Sequence, residues 1–399
     1  MLTTTQDPRR LAARMALAAL ASTLLLAPAA RAQDEWTTKW SNGFRVDSKD
    51  GQFKLQFGGR IQADYSFGST DDTLPAIDDG FEFRRARLFM SGTVYERVEF
   101  KIEYDFGTGD AAAKDVYIAL LPEWGKVRFG HYKESFSLEE LTSSKYITFL
   151  ERSLPIEAFA PSRNVGIDLT GDRGSTFNWG VGVFYDADDF GRSLDQDAWN
   201  VTGRLAFRPI YEDGGKRLLH LGIAASQQER DGVLRFRTRP EAHLSPRLVD
   251  TGGFAGDSTT LLGGELAGVF GPFWFASEYI QADTDAPAFG DPTFSGAYVQ
   301  AGFFLTGESR VFKPGDGAFD RNKPKENLGK GGGAWEIALR YSTIDLTDGR
   351  IAGGEQDDVT LALNWYLNPV ARLMLNLVRA DVDGKGDADF VLLRWAIDF

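Results

Sequence analysis

From Phe53 to Phe67 the chain alternates without a break. The odd positions carry Phe, Leu, Phe, Gly, Ile, Ala, Tyr and Phe, and the even ones Lys54, Gln56, Gly58, Arg60, Gln62, Asp64 and Ser66. A period of two belongs to a β-strand with one apolar and one polar face. The pattern returns from Arg97 to Gly107, where Val98, Phe100, Ile102, Tyr104 and Phe106 oppose Glu99, Lys101, Glu103 and Asp105. It closes the chain as well, with Val391, Leu393, Trp395, Ile397 and Phe399 sharing one face. A soluble sandwich would turn such faces onto a second sheet. A membrane barrel would turn them to lipid and the charged faces to water inside.

Sixteen strands follow from this reading, at about 53–67, 80–94, 97–107, 113–121, 125–131, 164–171, 176–186, 196–209, 216–229, 260–270, 272–283, 293–307, 332–346, 356–367, 369–382 and 387–399. An even number suits a bacterial single-chain barrel. Connections after even-numbered strands are mostly short, and those after odd-numbered strands mostly longer and more acidic, as periplasmic turns and external loops should be. The connection from Glu308 to Gly331 breaks this rule by being long on the short-turn side. The expected fold is therefore all-β, a 16-stranded antiparallel transmembrane barrel.

Residues 1–32 stand apart from this pattern. Arg9, Arg10 and Arg14 precede an apolar run from Met15 to Leu26, and Ala30-Arg31-Ala32 forms an A-x-A site. This predicts a secretory signal peptide cleaved after Ala32. The apolar run has 12 residues, short of the roughly 20 that a spanning helix needs. Taking 32 residues with net charge +3 from a 399-residue chain of −13 leaves 367 residues and −16. That acidic balance disfavours nucleic acid as a partner. Glycine and aromatic residues are spread evenly, so residues 33–399 are expected to form a single barrel domain. The terminal Phe399 resembles the aromatic signal read by the barrel-assembly machinery.

One stretch inside the barrel does not alternate. Between the strands ending near His131 and beginning near Asn164, about 132–163, lie Phe136, Leu138, Leu141, Tyr146, Ile147, Phe149, Leu150, Leu154, Ile156 and Phe159. These need something to pack on, and a long connection in a compact β protein is functional or disordered. The inner wall of a wide barrel is the available surface, so this stretch is read as an inward-folded constriction loop.

No catalytic pattern accompanies this architecture. His131, His220 and His243 lie far apart without metal-ligand spacing, and cysteine is absent. Neither G-x-S-x-G nor G-x-x-x-x-G-K-[ST] occurs. Hence no cofactor, metal or enzymatic activity is expected. The basic residues point elsewhere. Arg60 faces the lumen by alternation. In Phe81 to Met90, strict alternation would place Arg85 and Arg87 in lipid, at about 2–4 kcal/mol each at mid-depth. A β-bulge at Arg84-Arg85 removes the conflict and turns Arg84, Arg85 and Arg87 inward. Arg204 and Arg208 extend the basic wall. Arg235, Arg237 and Arg239 alternate within Gly232 to Leu248, with Arg247 following, and the 308–331 connection carries six basic residues. Arginine suits oxyanions because its planar fork stays charged and binds bidentately. The same arginines could instead pair with Glu99, Glu103 and Asp105 as a salt-bridged wall.

Across most of its length the chain resembles the phosphate-selective porin O and P family. The resemblance rests on Gly58-Gly59-Arg60-Ile61-Gln62, Phe83-Arg84-Arg85-Ala86-Arg87-Leu88 and Phe129-Gly130-His131-Tyr132-Lys133. It rests also on Ser137-Leu138-Glu139-Glu140-Leu141-Thr142-Ser143-Ser144-Lys145 and Glu151-Arg152-Ser153. It implies a homotrimeric outer-membrane channel for phosphate or polyphosphate, with the third and fifth external loops and a late periplasmic turn folded inward. It also implies that Arg60, Arg84 and Arg85 belong to an arginine ladder and Lys145 to the narrow binding site, with Lys133 a further candidate. A general or cation-leaning porin, an outer-membrane barrel enzyme and a secreted soluble β protein are the alternatives.

Overall fold

The computed structural model describes residues 36–399 except 42, 108, 110, 194–197 and 231. The expected leader lies outside the described residues. The wall consists of β1 (Phe53–Thr70), β2 (Gly80–Val94), β3 (Val98–Asp105), β4 (Ala112–Leu120), β5 (Lys126–Lys133), β6 (Arg163–Arg173), β7 (Phe177–Tyr185) and β8 (Trp199–Glu212). It continues with β9 (Arg217–Glu229), β10 (Ser258–Phe270), β11 (Phe273–Asp285), β12 (Thr293–Phe304), β13 (Ala334–Asp348), β14 (Ile351–Tyr366), β15 (Ala371–Val382) and β16 (Gly386–Asp398). Each strand pairs antiparallel with the next, and β16 pairs back onto β1, with Trp395 opposite Ala63 and Ile397 opposite Ile61. The sixteen strands thus close into a barrel, which leaves no unpaired edge in the hydrocarbon region.

The seam needs a glycine. Gly59 N–H donates to the Phe399 carbonyl at 2.6 Å, and Phe399 N–H donates to the Gly59 carbonyl at 3.0 Å. A Cβ on Gly59 would sit 2.4 Å from the Arg87 carbonyl oxygen and 2.9 Å from the Phe399 ring. Beyond this seam a hairpin, Trp36–Trp40 with Phe44–Ser48, continues the wall along the first residues of β1.

Alternation is visible in the exposure of the wall. Ile61, Tyr65 and Phe67 are exposed outward while Arg60, Gln62, Asp64 and Ser66 are buried inward. The bulge forms at Arg84. Gln62 lies opposite Arg85 and Ala63 opposite Phe83, leaving Arg84 as the extra residue. Phe81, Phe83 and Leu88 consequently face outward and Arg85 and Arg87 inward.

One connection differs from its expected form. The span between 346 and 356 is not a long loop but strand, with a tight turn at Gly349-Arg350 in which Gly349 adopts φ +58°. Ile344, Leu346 and Ile351 continue the inward face while Asp345 and Glu355 occupy the outward one. Strands that project past the lipid carry acids where lipid-facing residues would otherwise be, so their polarity reads as loop.

The core sits inside the barrel. Residues 134–162 enter the lumen, with two short helices, α1 (Leu138–Leu141) and α2 (Leu154–Phe159). Phe136, Leu138, Phe149, Leu150, Leu154, Ile156 and Phe159 belong to one buried cluster with Phe236, Phe254 and Phe294 from the 230–257 connection and β12, in which Phe159 packs on Phe236. The wall holds the backbone of this segment by its carbonyls. Arg372 donates to Ile147 O at 2.8 Å, Asn364 to Thr148 O at 2.9 Å, Arg394 to Leu150 O at 2.5 Å and Arg340 to Glu151 O at 3.1 Å. Glu278 of β11 accepts the Leu138 and Glu139 N–H groups at 2.9 and 2.7 Å, two of the donors that the first turn of α1 leaves free.

Candidate functional site: the lumenal basic wall

The six basic residues singled out in the sequence fall into four groups in the barrel. Arg60 and Arg87 meet across β1 and β2. Arg60 donates to Ser144 Oγ at 2.7 Å and to Glu103 at 3.2 Å, and Arg87 to Glu103 at 3.2 Å and Asp105 at 2.6 Å. Arg84 and Arg85, placed side by side by the bulge, converge on Glu151 of the inserted segment. Arg84 grips its two oxygens through Nε and Nη2, both at 2.9 Å, and Arg85 Nη2 lies 3.6 Å away.

Lys145 stands near Arg60. Its nearest carboxylate among the described residues is Asp398 at 3.9 Å, and its ammonium lies over Phe89 and Tyr146 at 5.7 and 5.2 Å. Burial, with the repulsion of Arg60, pushes the Lys145 ammonium down to about 8. Lys133 is in a different place. It pairs with Glu140 at 3.0 Å beside Arg152, on the border of a large lumenal cavity. Burial alone would raise the Glu140 carboxyl, but Arg152 and Lys133 hold it below its ordinary value.

Sequence reasoning passed over Arg340, Arg372 and Arg394, which hold the inserted segment from β13, β15 and β16. Arg394 also clasps Asp64 at 2.7 and 2.6 Å and reaches Glu151 at 2.8 Å. The signal was present, since Arg394 occupies the inward position between outward Leu393 and Trp395. Arg204 forms a two-armed pair with Glu265, 2.7 Å in each arm. Arg208 instead donates through Nε to Ser175 O at 2.5 Å, and its two terminal nitrogens meet no partner among the described residues.

Cations also mark both ends of the lumen. In the 230–257 connection Leu234, Phe236 and Thr238 are buried, while Arg235, Arg237 and Arg239 take the alternate positions, Arg235 exposed and paired with Asp250, Arg237 and Arg239 half-buried and Arg239 paired with Glu157. At the short-turn end a cavity of about 930 Å³ is bounded by Lys39, Arg45, Lys54, Lys101, Lys126, Arg128, Lys133, Arg204 and Lys313 against Asp47, Glu99, Asp115, Asp172 and Asp316. Nine bases face five acids there, so the vestibule carries a positive excess. Among the described residues no cluster of His, Asp or Glu is arranged to hold a metal ion.

A closed barrel that is apolar outside, lined by polar side chains within and narrowed by an inserted segment is a membrane barrel of the porin class. The chain belongs to the phosphate-selective porin O and P family, which it matches over residues 55–393. Porin O of Pseudomonas aeruginosa is 29% identical over 400 residues, covering 88% of this chain and 89% of that protein. Among solved structures, an anion-selective porin from Comamonas acidovorans matches with a TM-score of 0.54 at 15% identity, covering 87% of this chain and 100% of that one. The trimer form of OmpT, an outer membrane protein of Vibrio cholerae, matches with a TM-score of 0.57 at 12% identity, covering 87% and 99%. These two likenesses concern the fold alone. Family and fold point to a channel rather than an enzyme, and to the outer membrane.

Proposed function

We propose that this protein is an outer-membrane channel through which small anions diffuse passively, with phosphate or polyphosphate as the leading substrate. Arg60, Arg84, Arg85, Arg87, Lys133 and Lys145 form its anion-binding wall. The observation that carries this reading is the Lys145 environment. A half-buried ammonium beside a second cation, with its nearest carboxylate among the described residues at 3.9 Å, is a site short of negative charge. The arginine row of the 230–257 connection lies before it and the basic vestibule beyond. A column of such sites conducts only when each is exchangeable for the next. The name of the family agrees with phosphate as substrate. The working form in this reading is a homotrimer, exported by a leader cleaved after Ala32 and inserted through recognition of Phe399.

A second reading, a general or cation-leaning porin, is favoured by one observation. Arg60, Arg84, Arg85 and Arg87 all have carboxylate partners, as a salt-bridged wall would. The reversal potential of the purified protein in a planar bilayer under a chloride gradient separates the two readings, followed by titration with phosphate. Anion preference and block by phosphate, both weakened in Arg60→Gln and Lys145→Gln, are the expected results. Cation preference, or indifference to phosphate, would leave only the second reading standing.

A further inference from the structure

We propose that Glu151 is a built-in counter-ion, seated in the fork of Arg84 that a permeating oxyanion must take, and that its displacement sets the channel's affinity for phosphate. This rests on the anion-channel reading above. The Nε and Nη2 atoms of Arg84 each lie 2.9 Å from one Glu151 oxygen, the parallel two-bond geometry by which a guanidinium also binds phosphate. The carboxylate therefore holds the position that an arriving oxyanion would occupy.

Three features make that position exchangeable. First, the Arg84 and Glu151 side chains are 17% and 11% exposed, whereas that of Arg394 is 0% exposed. An anion in the lumen thus reaches the Arg84 side of the cluster. Second, Glu151 has other partners to fall back on, Arg394 Nη2 at 2.8 Å and Arg85 Nη2 at 3.6 Å. Giving up Arg84 does not leave it as an unpaired buried charge, which would be strongly destabilising. Third, its main chain is anchored by Arg340, and the preceding carbonyl by Arg394, so the side chain can swing while the segment stays in place.

The charges agree. Arg84, Arg85 and Arg394 contribute three positive charges, Glu151 and Asp64 two negative ones in direct ion pairs, and Glu82 a third that acts on Arg84 from further away, so an arriving anion replaces a carboxylate rather than filling a vacant charge. Binding by exchange is weaker than binding to an empty fork, and release is faster because the resident carboxylate returns. This is the condition for conduction rather than trapping.

The test is the phosphate concentration that halves the chloride conductance of single channels in planar bilayers. Glu151→Gln removes the competing charge and should lower that concentration by about tenfold or more, the scale of one charge-assisted contact. Adding Arg84→Gln should abolish the gain, which a merely structural role for Glu151 would not require. If Glu151→Gln does not assemble, judged by heat-modifiable mobility on gels, Glu151→Asp keeps the charge on a shorter stem. It should shift the half-blocking concentration in the same direction by a smaller factor. An unchanged or raised half-blocking concentration in an assembled variant overturns the proposal. If the wild-type channel itself shows neither anion preference nor phosphate block, the channel reading fails first. Block in the wild type without tightening in the variant sinks only the role of Glu151.

Discussion

The ammonium of Lys145 should make anion selectivity fall as the pH rises. Its side chain is 16% exposed and faces Arg60, Arg321, Glu103, Asp398, Phe89 and Tyr146. Burial and the two arginines outweigh Asp398 and Glu103 and bring the group from 10.5 down to about 8. At 1.36 kcal/mol per unit, holding this charge inside the folded channel costs about 3 kcal/mol. A group with that value is about nine-tenths charged at pH 7 and about one-tenth charged at pH 9. Because the folded value lies below the unfolded one, the unfolded chain binds more protons between about 8 and 10.5. The contribution of Lys145 to stability therefore rises with pH through that window, while its contribution to anion attraction is lost. The assay is the reversal potential under a potassium chloride gradient, stepped from pH 6.5 to 9.5 (chloride does not titrate, whereas phosphate does). Anion preference should drop with a midpoint near 8, and Lys145→Gln should be less anion-selective and flat over the same range. The chain has no cysteine to confuse the readout. A titration of equal size in Lys145→Gln, or none in the wild type, would refute the reasoning.

Two further outcomes test how the inserted segment is held. Arg340 is fully buried, donating to Glu241 at 2.9 Å, to Glu139 at 3.2 Å and to Glu151 O at 3.1 Å. Arg340→Leu strands those acceptors and should cost about 3–5 kcal/mol, seen as a lower temperature for loss of the folded band on gels. No shift would mean that water replaces the guanidinium without penalty. Glu278→Leu removes the acceptor of the Leu138 and Glu139 N–H groups, at about 1–3 kcal/mol for each buried donor left unpaired. The loosened segment should give larger and noisier single-channel currents, and a steady wild-type current would count against its anchoring by Glu278.

Much of the barrel was legible in the chain because period-two alternation is a local response to lipid on one side and water on the other. Phe57, Ile61 and Tyr65 need no knowledge of β16 to face outward. The bulge was equally local, since Arg85 and Arg87 cannot both keep strict alternation and avoid lipid. Where the environment changed along a strand, the pattern misled, as at Asp348 and Glu355, which lie on strand although their acidity reads as loop. What the sequence could not express was partnership. Arg394 meets Asp64 across the closing seam and Leu150 O from the inserted segment, contacts spanning 330 and 244 residues. Nothing near Arg394 in the chain announces either. Nor does local pattern separate Lys133, matched to Glu140, from Lys145, left 3.9 Å from its nearest carboxylate. The sequence alone determined which residues face the lumen, because solvent selects a face one residue at a time. Only the closed barrel decided which of those charges neutralise one another and which remain for a passing anion, because that depends on strands and loops brought together from opposite ends of the chain.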